Sequence, residues 1–425
     1  MTIQMTIALA IVVLMIVMIM SDKFSFGAPP LVACCLMVLT GVSTIERAFC
    51  GFVDSNVIMI AGFMAVMAGL QKTSLMSRIK SLLSDLAGKG GFKAYVLLLI
   101  VVMLGASVMG NTTGYYMLVL TIVASIPYNK NLPNSKLLMP LGFATGRALI
   151  PVSVAFFMGL ASSLLESSNY ENTISMAQFS IMMFIMSVGY LLWALIAYRF
   201  LPDHDVSQGA NSISENEESA APALPKWKEY CTYGAFLVSV AAMFLLDTLG
   251  QAGYILPCLA TAFLCLIGVF NFKEVRANVF SPLILMMASV IGVAGALADT
   301  GFTAMVGEAV ANAMGGNVNP FVLVLVFCLL TSACATLTGA SIGALFIFAP
   351  IGIATCMSLG LNPTGLAAAM TAAAWGGGFL PIDGLPAMIL GMGKYKLSQF
   401  FKFALPMYFI QILALAIGAM VAFPM

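Results

Sequence analysis

Apolar runs of roughly 15–20 residues recur from one end of the chain to the other, about the length a helix needs to cross the hydrocarbon core of a bilayer. Only 8% of the residues are charged and 61% are hydrophobic, whereas a soluble domain carries roughly 25% charged residues. A soluble globular fold is therefore excluded. A membrane β-barrel would instead show short segments of alternating hydrophobicity. The pattern defines an all-α polytopic membrane protein. The first run, Thr2–Met20, has the length of a signal peptide, but no Lys or Arg precedes it and no small-residue cleavage site follows, so a retained helix is expected.

Ten spans can be drawn, at about 3–20, 27–41, 55–70, 136–165, 175–199, 229–247, 252–270, 281–297, 364–391 and 404–423. Two further apolar segments, about 92–127 and 320–350, are too long for one helix and too polar in their middles. They are expected to be re-entrant hairpins. A polar, acidic, Ser/Ala/Pro-rich stretch, 202–228, divides the chain into a first half, 1–201, and a second half, 229–425, and its composition predicts a mobile linker. The positive-inside rule places both termini outside. The linker and the first hairpin's mouth then lie in the cytoplasm, and the second hairpin opens to the exterior. Of the 18 Lys and Arg, only Arg47 falls on the outside and Arg147 falls within a span. The localisation this predicts is a multi-pass protein of the cell (inner or plasma) membrane.

The halves resemble each other. "NVIMIAGFMAVMAGLQKTS" (56–74) parallels "LILMMASVIGVAGALADTG" (283–301), with "AGLQKTS" over "GALADTG". Each is followed by an amphipathic stretch, then a hairpin, then a span broken at a proline: "ALIPVSVAF" (148–156) against "GFLPIDGLP" (378–386). Five spans per half turn the second copy upside down. The expected architecture is thus two inverted five-span repeats with two re-entrant hairpins and broken helices, an arrangement that in secondary transporters puts substrate and ion sites at the repeat interface.

The polar interruptions are the candidate chemistry. At the first tip, Gly110 and Gly114 permit a turn, and Asn111, Thr112 and Thr113 offer an amide and two hydroxyls where helix ends free backbone groups. Helix N-termini favour anions; freed carbonyls and hydroxyls suit Na⁺. The plainer alternative is helix–helix hydrogen bonding with glycines for packing. The second tip holds Thr336, Thr338, Gly339, Ala340 and Ser341. Asn111 aligns with Thr338 from the upstream repeat and with Ser341 from the downstream prolines. The broken spans hold two ionisable residues at membrane depth, Arg147 and Asp383, and such residues are functional hypotheses by default. Arg147 can clamp a carboxylate or sulfate bidentately. Asp383, with Ser153 at the equivalent position in the first half, can hold Na⁺ or a proton. Alternatively, Arg147 and Asp383 pair as a strut, or Arg147 snorkels. Other chemistry finds little support. A net charge of +1 implies no nucleic-acid partner, the nine cysteines show no metal or redox spacing, and the single histidine, His204, lies in the polar stretch.

The chain resembles the divalent anion/sodium symporter family, within the ion-transporter superfamily of anion permeases and antiporters. The residues that carry the resemblance are 46–79, "GNTTGYYMLVL" (110–120), "SKLLMPLGFATG" (135–146), "YRFLPD" (198–203) and 380–407. The resemblance implies paired hairpin tips binding substrate carboxylates and Na⁺, broken-helix loops completing the cation sites, and a homodimer in which a transport domain moves against a scaffold. Asn111 and Thr112 match the first tip, with Gly110 in place of serine. The second tip and the loops "PVSVA" (151–155) and "PIDGLP" (381–386) depart from the family's forms.

The expected function is alternating-access secondary transport of a small anion, a di- or tricarboxylate or sulfate, coupled to Na⁺ or H⁺. The candidate substrate ligands are Asn111, Thr112, Thr113, Arg147, Thr338 and Ser341. The candidate Na⁺ positions are Gly110, Asn111, Ser153, Thr338, Ala340 and Asp383. No cofactor beyond the coupling ion is implied, and the partners are the anion, the ion, the bilayer and a second copy. The rivals are a cation/proton antiporter exchanging on Asp383, a channel, and an integral-membrane enzyme, for which the sequence offers no cluster of catalytic residue types.

Overall fold

A computed structural model describes residues 2–20, 24, 27–110, 113–126, 128–152, 154–170, 174–206, 224–279, 281–313, 319–338, 341–381 and 384–424. Among these residues the chain is helical, without strands. The first half holds α1 (Ile3–Met20), α2 (Ala28–Leu39), α3 (Ile45–Ala48), a 3-10 turn at Cys50–Phe52, α4 (Ser55–Gln71), α5 (Leu75–Lys89), α6 (Gly91–Met109), α7 (Thr113–Ser125), α8 (Asn134–Ala144), α9 (Ala155–Ser167) and α10 (Met176–Ala197). The second holds α11 (Lys226–Phe244), α12 (Leu246–Leu249), α13 (Gln251–Leu266), α14 (Phe272–Val279), α15 (Pro282–Asp299), α16 (Phe302–Ala313), α17 (Pro320–Thr338), α18 (Ser341–Ser358), α19 (Thr364–Ala374), α20 (Gly384–Met392) and α21 (Leu397–Ala422).

Every expected span is occupied by helix, and both expected hairpins are helix pairs. In the first, α6 ends at Gly110, whose φ of 64° suits a residue without Cβ. The chain resumes as α7, and the Tyr115 hydroxyl donates to the Val102 carbonyl at 2.7 Å, fastening the limbs side by side. In the second, α17 and α18 pack together, with Gly352 against Phe327. Among the described residues, α6, α10, α17, α18 and α21 are each long and apolar enough to cross a membrane, and α15 with α16 forms a further candidate, bent by 71°. Three of the four hairpin limbs, α6, α17 and α18, thus have full-span length, and α7, with 13 residues, is shorter.

The two broken spans also form as expected. The first is α8, a break, then α9; the second is α19, a break, then α20. They cross so that α8 packs on α20 and α9 on α19. The freed backbone of the first break finds partners: Leu149 N–H donates to the Met103 carbonyl (3.2 Å), Ile150 N–H to the Ser107 hydroxyl (2.9 Å), and Ser180 donates to the Pro151 carbonyl (2.9 Å). Irregular backbone inside a membrane protein needs such satisfaction.

Around this crossing stand α1, α2, α4, α11, α13 and α15. Helices α4 and α13 approach until backbones touch at Gly62, and α15 does the same with α3 at Gly292. The Asp54 side chain caps α4 by accepting from Val57 N–H at 3.0 Å, and Ser281 caps α15. Both helices end alike. Thr73 donates to Leu70 and Thr300 to Leu297, each at 2.6 Å, just before a helix that leads to a hairpin. The adjoining residues at these ends are ion-paired: Lys72 with Glu274 (2.5 Å) and Asp299 with Arg47 (2.7 Å). The Asp299 carboxylate holds the Arg47 guanidinium above its ordinary pKa range.

Residues 202–206, which open the polar stretch, are docked. His204 Nε2 lies 2.7 Å from the Gly393 carbonyl, Asn134 donates to Asp205 at 3.0 Å, and Ser135 donates to the Pro202 carbonyl. Most of the stretch expected to be mobile, 207–223, lies outside the described residues.

Candidate functional site

A cavity of about 280 Å³ opens where the breaks and hairpins converge. Its wall takes Gly146 and Arg147 from the end of α8, Thr336 from the end of α17, Ser341 from the start of α18, and Trp375 from the end of α19. Tyr116 of the first hairpin and Gly384 at the start of α20 complete it. Both hairpins and both breaks thus contribute.

Arg147 dominates the electrostatics. It is 7% exposed. One terminal nitrogen, Nη2, donates to the Gln411 side-chain oxygen of α21 at 2.7 Å, and Nη1 donates to the Gly146 carbonyl at 3.0 Å. Nε is buried without a partner among the described residues. Among the described residues its partners are neutral, and the ion pairs lie elsewhere. A buried cation without counter-charge is strongly unfavourable unless an anion or a network compensates it.

The second break is shaped by close approach. A Cβ at Gly377 would stand 2.0 Å from Thr336 Oγ1, so the glycine lets the break lie against the hairpin tip. Gly378 and Gly384 have positive φ, 85° and 52°. Trp375 is held edge-on by Phe156 and Phe157 of α9, at ring separations of 5.3 and 5.4 Å. The residues of the cavity wall thus include Arg147, the hydroxyl-bearing Tyr116, Thr336 and Ser341, and Trp375; the Thr336 hydroxyl donates to the Ser332 carbonyl at 2.8 Å.

Of the residues singled out from sequence, Arg147 and Ser341 line the cavity. Thr338 does not line it, and its hydroxyl donates to the Cys334 carbonyl one turn back at 2.7 Å. Gly110 terminates α6. Thr113 begins α7. Asn111, Thr112, Ser153, Ala340 and Asp383 lie outside the described residues. Sequence reasoning missed Gln411, although a lone amide inside the apolar run of the last span was a visible signal. It also passed over Tyr116, and it named Thr336 only as part of the tip.

The cavity thus lies between two helix hairpins and two crossed, broken spans. A family model described as citrate transporter, CitMHS, matches residues 16–340 and 251–424. The chain belongs to that family, within the ion-transporter superfamily that the motifs pointed to. It is 29% identical over 136 residues to the uncharacterized transporter YfbS of Escherichia coli K12, a stretch covering 32% of this chain and 22% of YfbS. The match thus spans about a fifth of that relative's length. The crystal structure of the YdaH transporter of Alcanivorax borkumensis, reported to have an unusual topology, aligns with a TM-score of 0.60 at 17% identity. It covers 91% of this chain and 87% of that one, a likeness of fold alone.

Proposed function

We propose that the protein is a secondary-active transporter of a small organic polyanion, a citrate-like tri- or dicarboxylate, with sulfate as the inorganic alternative. The observation that carries this is Arg147, a residue of the cavity wall whose buried guanidinium has neutral partners among the described residues. An arriving carboxylate can supply the missing counter-charge through charge-assisted hydrogen bonds. Thr336, Ser341 and Tyr116 carry hydroxyls on the same wall. The family's citrate description supports the carboxylate class.

The coupling ion is Na⁺ or H⁺. Asp383 is the candidate carrier, together with Gly110, Asn111, Ser153, Thr338 and Ala340; its neighbours in sequence, Leu380 and Gly384, line the same cavity. The two halves act as inverted repeats, rocking about the crossing of the broken spans, in a homodimer.

The test is uptake of labelled citrate, succinate, malate and sulfate into proteoliposomes under an imposed Na⁺ or proton gradient. Gradient-dependent uptake of at least one carboxylate is expected, and Arg147→Ala is expected to abolish it while the purified variant stays folded. Uptake of none of these anions, with cation/proton exchange instead, would replace this reading by the antiporter.

A further inference from the structure

We infer that Gln411 is a positioning residue that keeps the charge of Arg147 available to the transported anion. The inference rests on the anion-binding reading above and assigns a role to a residue outside the cavity wall.

Gln411 sits within α21, fully buried, in a run that is otherwise apolar from Ile410 to Met420. Its side-chain oxygen accepts the 2.7 Å bond from Arg147 Nη2, and its own Nε2 has no partner among the described residues. A buried amide with an unsatisfied donor is unfavourable by itself, and a Leu or Met at this position would suit the surrounding helix better. What the amide supplies is an oxygen at the end of an uncharged group. It fixes one nitrogen of the guanidinium fork without cancelling its charge. With Nη1 turned to the Gly146 carbonyl, the plane of the fork is set from two sides. A carboxylate here would hold the fork equally well but would neutralise it, and the incoming anion would then meet a closed ion pair. A hydrocarbon would leave the charge but free the fork to rotate.

Two variants separate this role from simple packing. Gln411→Glu is nearly isosteric, so a residue that only fills space would tolerate it better than Gln411→Ala. The inference requires the opposite order. In proteoliposomes, Gln411→Ala should raise KM for the carboxylate roughly tenfold or more while kcat changes little. Gln411→Glu should abolish uptake and the anion-induced rise in Tm, although the protein melts normally without anion. If Gln411→Glu transports as well as or better than Gln411→Ala, Gln411 is structural and the inference fails. If Gln411→Ala leaves KM unchanged, the fork does not need it and the inference likewise fails. Wild-type protein is assayed alongside: absence of any anion uptake there would overturn the anion reading itself, a result distinct from either failure of Gln411.

Discussion

Gly377 and Thr336 show how finely the cavity is set by single residues. A methyl group at Gly377 would meet the Thr336 hydroxyl at 2.0 Å, far inside contact distance, so the Thr336 side chain must turn to another rotamer or the break must shift to admit it. Gly377→Ala is therefore expected to lower carboxylate uptake severalfold, measured in proteoliposomes. Gly391→Ala, where an added Cβ meets nothing within 4 Å, should leave it unchanged. The same scale explains what the sequence concealed. Thr336 and Thr338 are two positions apart, and on a helix that separation turns them to different sides. Thr336 lines the cavity and Thr338 does not. Aligning the halves located the tip but not which hydroxyl faces inward. Arg147 was legible because a charge inside an apolar span has few bland explanations. Gln411, uncharged, was easier to pass over.

At the scale of helices, most of the architecture was legible. Apolar length marked the spans, Gly110 marked one hairpin turn, and the prolines of "ALIPVSVAF" and "GFLPIDGLP" marked the two breaks. How closely helices approach was not legible, because a glycine in an apolar run reads the same whether it faces lipid or a neighbouring backbone. Gly292 is the extreme case: a Cβ there would lie 1.8 Å from the Ala48 carbonyl oxygen. Overpacking of this kind destabilises by about 1–3 kcal/mol. Gly292→Ala should therefore lower Tm in detergent, and Gly234→Ala, which meets nothing within 4 Å, should not. Within the first hairpin, Tyr115→Phe removes the bond to Val102 and should destabilise by about 1 kcal/mol, read from the same melting curves.

At the scale of the whole molecule, the ion pairs Lys72–Glu274 and Arg47–Asp299 occupy matching ends of α4 and α15. Both pairs are partly exposed, and solvent-screened pairs are worth about 0–1 kcal/mol, so loss of the charge pairing alone should alter melting only slightly. Each nevertheless ties the root of a hairpin-bearing helix to the surrounding frame. Lys72→Glu should slow uptake, and adding Glu274→Lys should restore it, a rescue that uptake rates would report. The distribution of Lys and Arg predicts both termini outside; labelling of tags at either end with a membrane-impermeant reagent, without permeabilisation, is the expected outcome that checks it.

The hydrophobic interior ignores the division at the polar stretch. One core joins Val57, Met158 and Phe179 to Met287, Leu366 and Leu415; another joins Tyr95 and Leu138 to Ile389 and Phe400. Helix α10 lies along α21, and His204 is bound to the turn after α20. Expressed as two separate polypeptides, divided after Val206 and before Leu224, the chain should still co-purify and carry substrate, whereas either fragment made alone should aggregate. Covalent continuity between the halves is then dispensable: each supplies the surface on which the other is completed.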